Sequence, residues 1–197
     1  MTFILGLTGS IGMGKSTTAQ MFVDEGCALW DADAAVHRLY GPGGAAVAPL
    51  AALFPNALSD GAIDRGALKR IIAADPDALK RIEGVVHPLV GEDRERFKAN
   101  ASSDIIVFDI PLIFETGGER RMDAVATVSV DAETQERRVL ERGTMTREQF
   151  ELIRSKQVPD AVKREKSDYV IITDTMDHAR QQVQDVIADI RRKLAHA

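Results

Sequence analysis

One cysteine, Cys27, is all that the 197-residue chain contains, which excludes an intramolecular disulfide and any cysteine-cluster metal site. It sits in the apolar run Cys27-Ala28-Leu29-Trp30 and reads as a small core residue, not a nucleophile. No apolar run approaches the ~18 residues that cross a bilayer, and the amino terminus lacks the basic start and cleavage pattern of a secretory leader. A cytoplasmic location without a membrane partner is therefore expected. A basic excess is missing too: the formal net charge of -5 argues against a general nucleic-acid binder. There is no internal repeat and no low-complexity tract. What remains is ordinary for a soluble globular protein, 45% hydrophobic and 28% charged, long enough for one large domain or a core with inserted subdomains.

The apolar pattern alternates between strand and helix. Thr2 to Thr8 is β-prone, a glycine-rich turn follows, and Lys15 to Glu25 places Ala19, Phe22 and Val23 at helical spacing before Gly26. Ala28 to Trp30 predicts a second strand that ends in Asp31-Ala32-Asp33. The stretch from Ala34 to Asn100 reads as helical, punctuated at Gly41-Pro42-Gly43-Gly44, at Asp60-Gly61, and at Asp75-Pro76, where Asp75 suits an N-cap. Ile105 to Ile110, Ala124 to Val130 and Tyr169 to Thr173 are further apolar strands, the first interrupted by Asp109. Such strands, separated by helices, indicate a parallel sheet covered on both faces. Thr134 to Lys166 is a charged helical segment with the capping box Thr146-Arg147-Glu148-Gln149. The final helix carries Ala179, Val183, Val186, Ile187, Ile190 and Leu194 on one stripe.

Between the first strand and the first helix, Gly9-Ser10-Ile11-Gly12-Met13-Gly14-Lys15-Ser16 satisfies the phosphate-loop pattern G-x-x-x-x-G-K-[ST]. Glycines let the backbone curl with its N–H groups inward, and the following helix adds the positive end of its dipole. Lys15 then neutralises the outer phosphates of a nucleotide, the Ser16 hydroxyl is placed to ligate Mg²⁺, and Thr17 sits near the α-phosphate. Met13 is expected to turn its side chain away from the phosphates, because the cradle uses main-chain groups there.

Neither the Asn-Lys-x-Asp guanine-reading element of GTPases nor the Leu-Ser-Gly-Gly-Gln signature of transporter ATPases occurs, so a phosphotransferase using ATP leads over a switch or a transporter. Asp31 and Asp33 lie where the second strand ends, at the edge of an open α/β sheet where ligands bind. In an extended segment the pair shares one side, so one carboxylate accepts the proton of an acceptor hydroxyl and the other holds water or Mg²⁺. Asp33 is the preferred base; the alternative is that either residue merely caps the next helix. Asp109 resembles a Walker-B acid that holds Mg²⁺ through water or fixes Lys15 and Ser16, or it is a loop former before Pro111. Arg142 and Arg154 are the cations of the charged segment best suited to cover the transferring phosphoryl group.

Taken in order, Gly6 to Thr17, Asp31-Ala32-Asp33, His87-Pro88 and Asp109-Ile110-Pro111-Leu112-Ile113-Phe114-Glu115 resemble the successive motifs of the dephospho-CoA kinase family. Arg137, Arg142, the Arg154 and Gln157 pair and Ser167-Asp168-Tyr169-Val170-Ile171 are similar to its lid and last-strand elements. The resemblance implies transfer of the ATP γ-phosphate to the ribose 3′-hydroxyl of dephospho-CoA. Its implied fold is an α/β P-loop three-layer sandwich with a parallel central sheet. Residues 1–33, 103–133 and 167–197 form the nucleotide core, 34–102 a helical acceptor-binding insert and 134–166 a helical lid. By position Asp33 becomes the base, with Lys15 and Arg142 at the phosphates, Ser16 and Asp31 as Mg²⁺ ligands, and Gly9, Ile11, Gly12, Met13, Gly14, Thr17 and Arg154 contacting ATP. His37, Arg65, His87, Pro111, Leu112 and Glu115 fall on the acceptor side. By itself, His87 before Pro88 reads as a helix boundary. Thr173-Asp174-Thr175 stands where the family commonly has asparagine and glycine near the adenine. ATP and dephospho-CoA are the expected partners of a monomer or weak homo-oligomer; another P-loop small-molecule kinase, or an ATP sensor without turnover, are the alternatives.

Overall fold

A computed structural model describes residues 2–196. Its elements run β1 (Phe3–Thr8), α1 (Lys15–Asp24), β2 (Ala28–Asp31), α2 (Ala32–Tyr40) and α3 (Val47–Leu53), then the short strands β3 (Leu58–Ser59) and β4 (Ala62–Ile63). They continue with α4 (Arg65–Ala74), α5 (Ala78–Asn100), β5 (Ile105–Asp109), β6 (Ala124–Ser129), α6 (Ala132–Glu141), α7 (Arg147–Ser155), α8 (Asp160–Lys166), β7 (Tyr169–Ile172) and α9 (Met176–Ala195). The chain divides into two compact units, Met1–Trp30 with Ala101–Ala197, and Asp31–Asn100.

The first unit is built on a five-stranded sheet of order β2-β5-β1-β6-β7. β5 and β6 are buried along their whole length and β1 from its second residue on, which is why their sequences are continuous apolar runs without alternation. β1 pairs in parallel with both β5 and β6, and β6 with β7. Flanking helices cover the sheet: Phe22 of α1 and Val183, Ile187 and Ile190 of α9 join Leu5, Val107, Ala126 and Ile171 in one apolar core. The α9 stripe is buried as its spacing predicts, with Leu194 partly so. Cys27 is a free, buried thiol whose pKa burial pushes up to about 11, in keeping with a core residue.

In this unit the charged segment folds as three helices. Asp131 starts α6 by accepting from Thr134 N–H at 2.8 Å. Thr146 and Gln149 start α7 with the reciprocal capping box read from the sequence.

The second unit has its own apolar core, with Leu39, Leu50, Phe54, Leu68, Ile82 and Val86 among its members. It departs from the sequence reading in four places. The strand at Ala28 stops at Asp31, and helix α2 begins at Ala32, because Asp31 Oδ1 accepts from Ala34 N–H at 2.9 Å and supplies an N-cap. Asp31 and Asp33 are therefore not an extended pair: Asp33 lies in the first turn of a helix, and the shared-face argument for them fails. Asp60 and Gly61 do more than interrupt helices. Both adopt positive φ, 48° and 75°, and turn β3 into β4 as a hairpin inside a region read as helical. Asp75 ends α4 and accepts from Asp77 N–H at 3.0 Å, so α5 begins at Ala78 instead of at Pro76. Pro88 lies inside the 23-residue α5, so the residue before it, His87, is an exposed mid-helix side chain and no boundary. One missing N–H donor on an exposed face is tolerated in a helix this long.

Candidate active site

The parallel pairing places a carboxylate at the phosphate loop. Leu7 is in register with Asp109, so β5 ends as β1 turns into Gly9. Asp109 is 3% exposed and forms an ion pair with Lys15 Nζ, which projects from the first residue of α1. Of the readings open for Asp109, this geometry supports a role in holding Lys15. Thr8 Oγ1 donates to Pro111 O at 3.0 Å and ties the same strand end to the Pro111 segment.

The loop itself is shaped by its glycines. Gly12 and Gly14 have φ of 80° and 87°, and Gly14 caps α1 with no side-chain acceptor, so the first-turn N–H groups remain available to an anion. The Met13 side chain is buried in the sheet core, where its sulfur accepts from Val130 N–H at 3.2 Å, so it does turn away from the loop. Thr173 Oγ1 donates to Met13 O at 2.7 Å, and Arg138 donates to Thr173 O at 2.6 Å. Ile11 is gripped on both sides: its N–H donates to Gln157 Oε1 at 3.3 Å, and its carbonyl accepts from Gln135 Nε2 at 2.8 Å.

A Cβ built on Gly12 would come 2.5 Å from Val139 Cγ2 and 3.0 Å from Gln135 O. Gly12→Ala is expected to destabilise the fold by roughly 1–3 kcal/mol, the cost of a side chain held at positive φ against a packed neighbour. It should also shrink the rise in Tm that saturating ATP produces, since the loop must open to relieve the contact; thermal denaturation with and without ATP reads both effects.

A cavity of about 260 Å³ lies over the loop and is lined by Gly9 to Thr17, Pro111, Arg142, Ile153 and Gln157. Ser16 and Thr17 are exposed there. A second, of about 240 Å³, is bounded by Thr17, Arg138, Arg142, Thr173 and Asp174. Arg142 thus borders both, whereas Arg154 stacks over the Phe150 ring at 5.2 Å and lines a different cavity of about 690 Å³. The two arginines are not brought together. Asp174, at the position where the family motif departs, is held by His178 Nδ1 and Thr175 N–H, each at 2.7 Å. His178 first and the Thr175 N–H next hold its carboxyl below the usual value.

Of the remaining candidates, Leu112 is exposed, and Glu115 turns its carboxylate to Val158 N–H at 2.9 Å. Asp31, Asp33, His37, Arg65 and His87 belong to the second unit, where the last four are exposed at their side chains. Gln135 escaped the sequence reading, and the contacts of Arg138 and Thr173 with the loop were not foreseen. A glutamine and an arginine in a charged helix carry no local mark, although Gln135, 3% exposed, is the polar residue that departs from a solvated face.

Comparison with known proteins agrees with this geometry. A family model described as dephospho-CoA kinase matches residues 3–178. A dephospho-CoA kinase from Ruegeria pomeroyi is 68% identical over 197 residues, covering all of both chains. The crystal structure of TT1252 from Thermus thermophilus superposes with a TM-score of 0.86 at 31% identity, covering 95% of this chain and 97% of the other. The fold is shared with dephospho-CoA kinase from Campylobacter jejuni, with a TM-score of 0.73 at 24% identity over 98% and 99% of the two chains. On the family match and this identity, the chain belongs to the dephospho-CoA kinase family.

Proposed function

We propose that the chain transfers the γ-phosphoryl group of ATP to the ribose 3′-hydroxyl of dephospho-CoA, giving coenzyme A and ADP. The observation that carries this reading is a phosphate loop whose Lys15 is braced by the buried Asp109, in a chain of this family. The acceptor oxygen bonds to the γ-phosphorus as the bond to the β-phosphate oxygen breaks, and ADP leaves. Asp33, from the Asp31-Ala32-Asp33 motif, is assigned the proton of the 3′-hydroxyl. Lys15 and the inward N–H groups stabilise charge on the phosphates, and Arg142 adds a cation at the edge of the same cavity. Pro111 and Leu112, with His37, Arg65 and His87, are assigned to the acceptor.

Among the described residues no group of three or more His, Cys, Asp or Glu side chains is placed to hold a metal. Mg²⁺ does not require one: it keeps several waters and shares its shell with phosphates, and an exposed hydroxyl with a carboxylate are oxygen donors of the kind that it takes. Ser16 would ligate it through the exposed hydroxyl on α1, with Asp31 as second ligand, and the ion would screen the phosphate charge. Asp31 Oδ1 already serves the α2 cap, which leaves Oδ2 for that role. Among the described residues no helix is long and apolar enough to cross a membrane. A monomer or weak homo-oligomer acting in the cytoplasm, where ATP is supplied, completes the reading.

The test is ADP release with ATP and Mg²⁺ and a panel of acceptors: dephospho-CoA, adenosine monophosphate and shikimate. Strong preference for dephospho-CoA, with the product phosphorylated at the 3′-oxygen, is expected. Preference for another acceptor, or none reacting, would sink the proposal.

A further inference from the structure

The phosphoryl transfer makes no direct use of one buried cation. Lys163, on α8, has a side chain 0% exposed, and its Nζ lies 3.0 Å from Glu115 Oε1. An ammonium is costly to bury unless a charged partner offsets the lost hydration. The same Oε1 accepts from Val158 N–H at 2.9 Å. Burial works against the Glu115 carboxylate, yet the Lys163 ammonium and the Val158 N–H outweigh it and hold its pKa below the usual glutamate value. Glu115 is therefore ionised at neutral pH, and the contact is a buried ion pair.

The pair anchors a piece of chain that has no regular structure of its own. Residues 156–159 join α7 to α8, and Gln157 within them supplies the acceptor for Ile11 N–H. Gln135, the other grip on Ile11, rides on a capped helix, α6. Gln157 lies beyond α7, tied back to it by its N–H, which donates to Arg154 O at 3.1 Å. Val158 N–H is the donor next to it, and Glu115 is the acceptor that pins it. Lys163 N–H donates to Pro159 O at 3.0 Å, so the first turn of α8 starts from the same segment.

We infer that Lys163 is a positioning residue for the phosphate loop: it holds Glu115 against the Val158 N–H, and so keeps the Gln157 carboxamide on Ile11. The inference rests on the reading of the loop as the ATP site. Its reach is from α8, through Glu115 and the 156–159 turn, to residue 11.

The experiment is calorimetric titration of the full chain with ATP, beside thermal denaturation. Lys163→Met keeps the volume and removes the charge. It should weaken ATP binding about tenfold, the effect of one misaligned hydrogen bond to the loop. Adding Glu115→Gln removes the uncompensated charge but keeps an oxygen for Val158 N–H, and K163M/E115Q should recover most of the affinity. K163M/E115A lacks that oxygen and should again bind about tenfold more weakly than K163M/E115Q. Should K163M alone not fold, K163Q takes its place in the series, while the two neutral double variants read the Glu115 to Val158 link. Lower Tm with ATP affinity unchanged across the series would overturn the inference, because a packing role moves stability alone. Equal affinity in the Gln and Ala doubles would overturn it too. If the unaltered chain fails to bind ATP, the loop assignment falls and takes the inference with it.

Discussion

Asp33→Asn is expected to lower kcat by roughly 10²- to 10⁴-fold, the contribution of a positioned general base. Asparagine has the same size and leaves the first turn of α2 intact, but it does not take up a proton. ATP affinity, measured without acceptor, should stay within about twofold, since an interaction made only with the acceptor does not enter nucleotide binding. Asp31→Asn is the matched control. Asparagine caps a helix about as well as aspartate, so α2 should keep its start, and only a ligand role would be lost. If Asp31→Asn costs more turnover than Asp33→Asn, the base is Asp31. Normal turnover in both variants would remove the acid pair from the reaction.

Lys15→Met should lower kcat/KM by about 10³-fold, the scale of losing one preorganised charge aimed at the phosphoryl group. Lys15 is 17% exposed at its side chain and is held by Asp109, so its ammonium reaches the cavity already oriented. Methionine fills the stem but supplies no charge. Unlike Asp33→Asn, this change should weaken ATP itself, so nucleotide affinity separates the two roles. Initial rates and calorimetry on the same preparation read both quantities. A kcat/KM that changes by less than about tenfold would mean that the loop N–H groups and Arg142 suffice without Lys15.

The features legible in the sequence were those with a local cause. The strand, glycine turn and helix of residues 3–24 follow from an apolar run, positions that need positive φ, and helical spacing. The capping box at Thr146 and the α9 stripe are equally local. The failures were local signals read with the wrong weight. β2 does end at Asp31, but the extended Asp31-Ala32-Asp33 pair gave way to its alternative, a cap: Asp31 starts α2 and Asp33 lies in the first helical turn. Asp60-Gly61 was read as punctuation between helices although it is a hairpin turn, because the strands it joins are only two residues each. Pro88 did not break α5, since packing of Ile82 and Val86 on the second core outweighs one lost backbone bond.

Residue order alone was enough for the phosphate loop and the apolar strands, whose causes lie within a few turns, and for the family, whose motifs follow one another along the chain. Tertiary structure alone decided what holds the loop. Asp109 meets Lys15 across 94 residues, and Gln157 meets Ile11 across 146. Lys163 stands in a run of cations that reads as a solvated face, yet it is buried against Glu115. No periodicity encodes such pairings: they arise when the sheet sets β1 beside β5 and the α7–α8 turn closes on Glu115, and only then does a buried charge find the partner that keeps it stable.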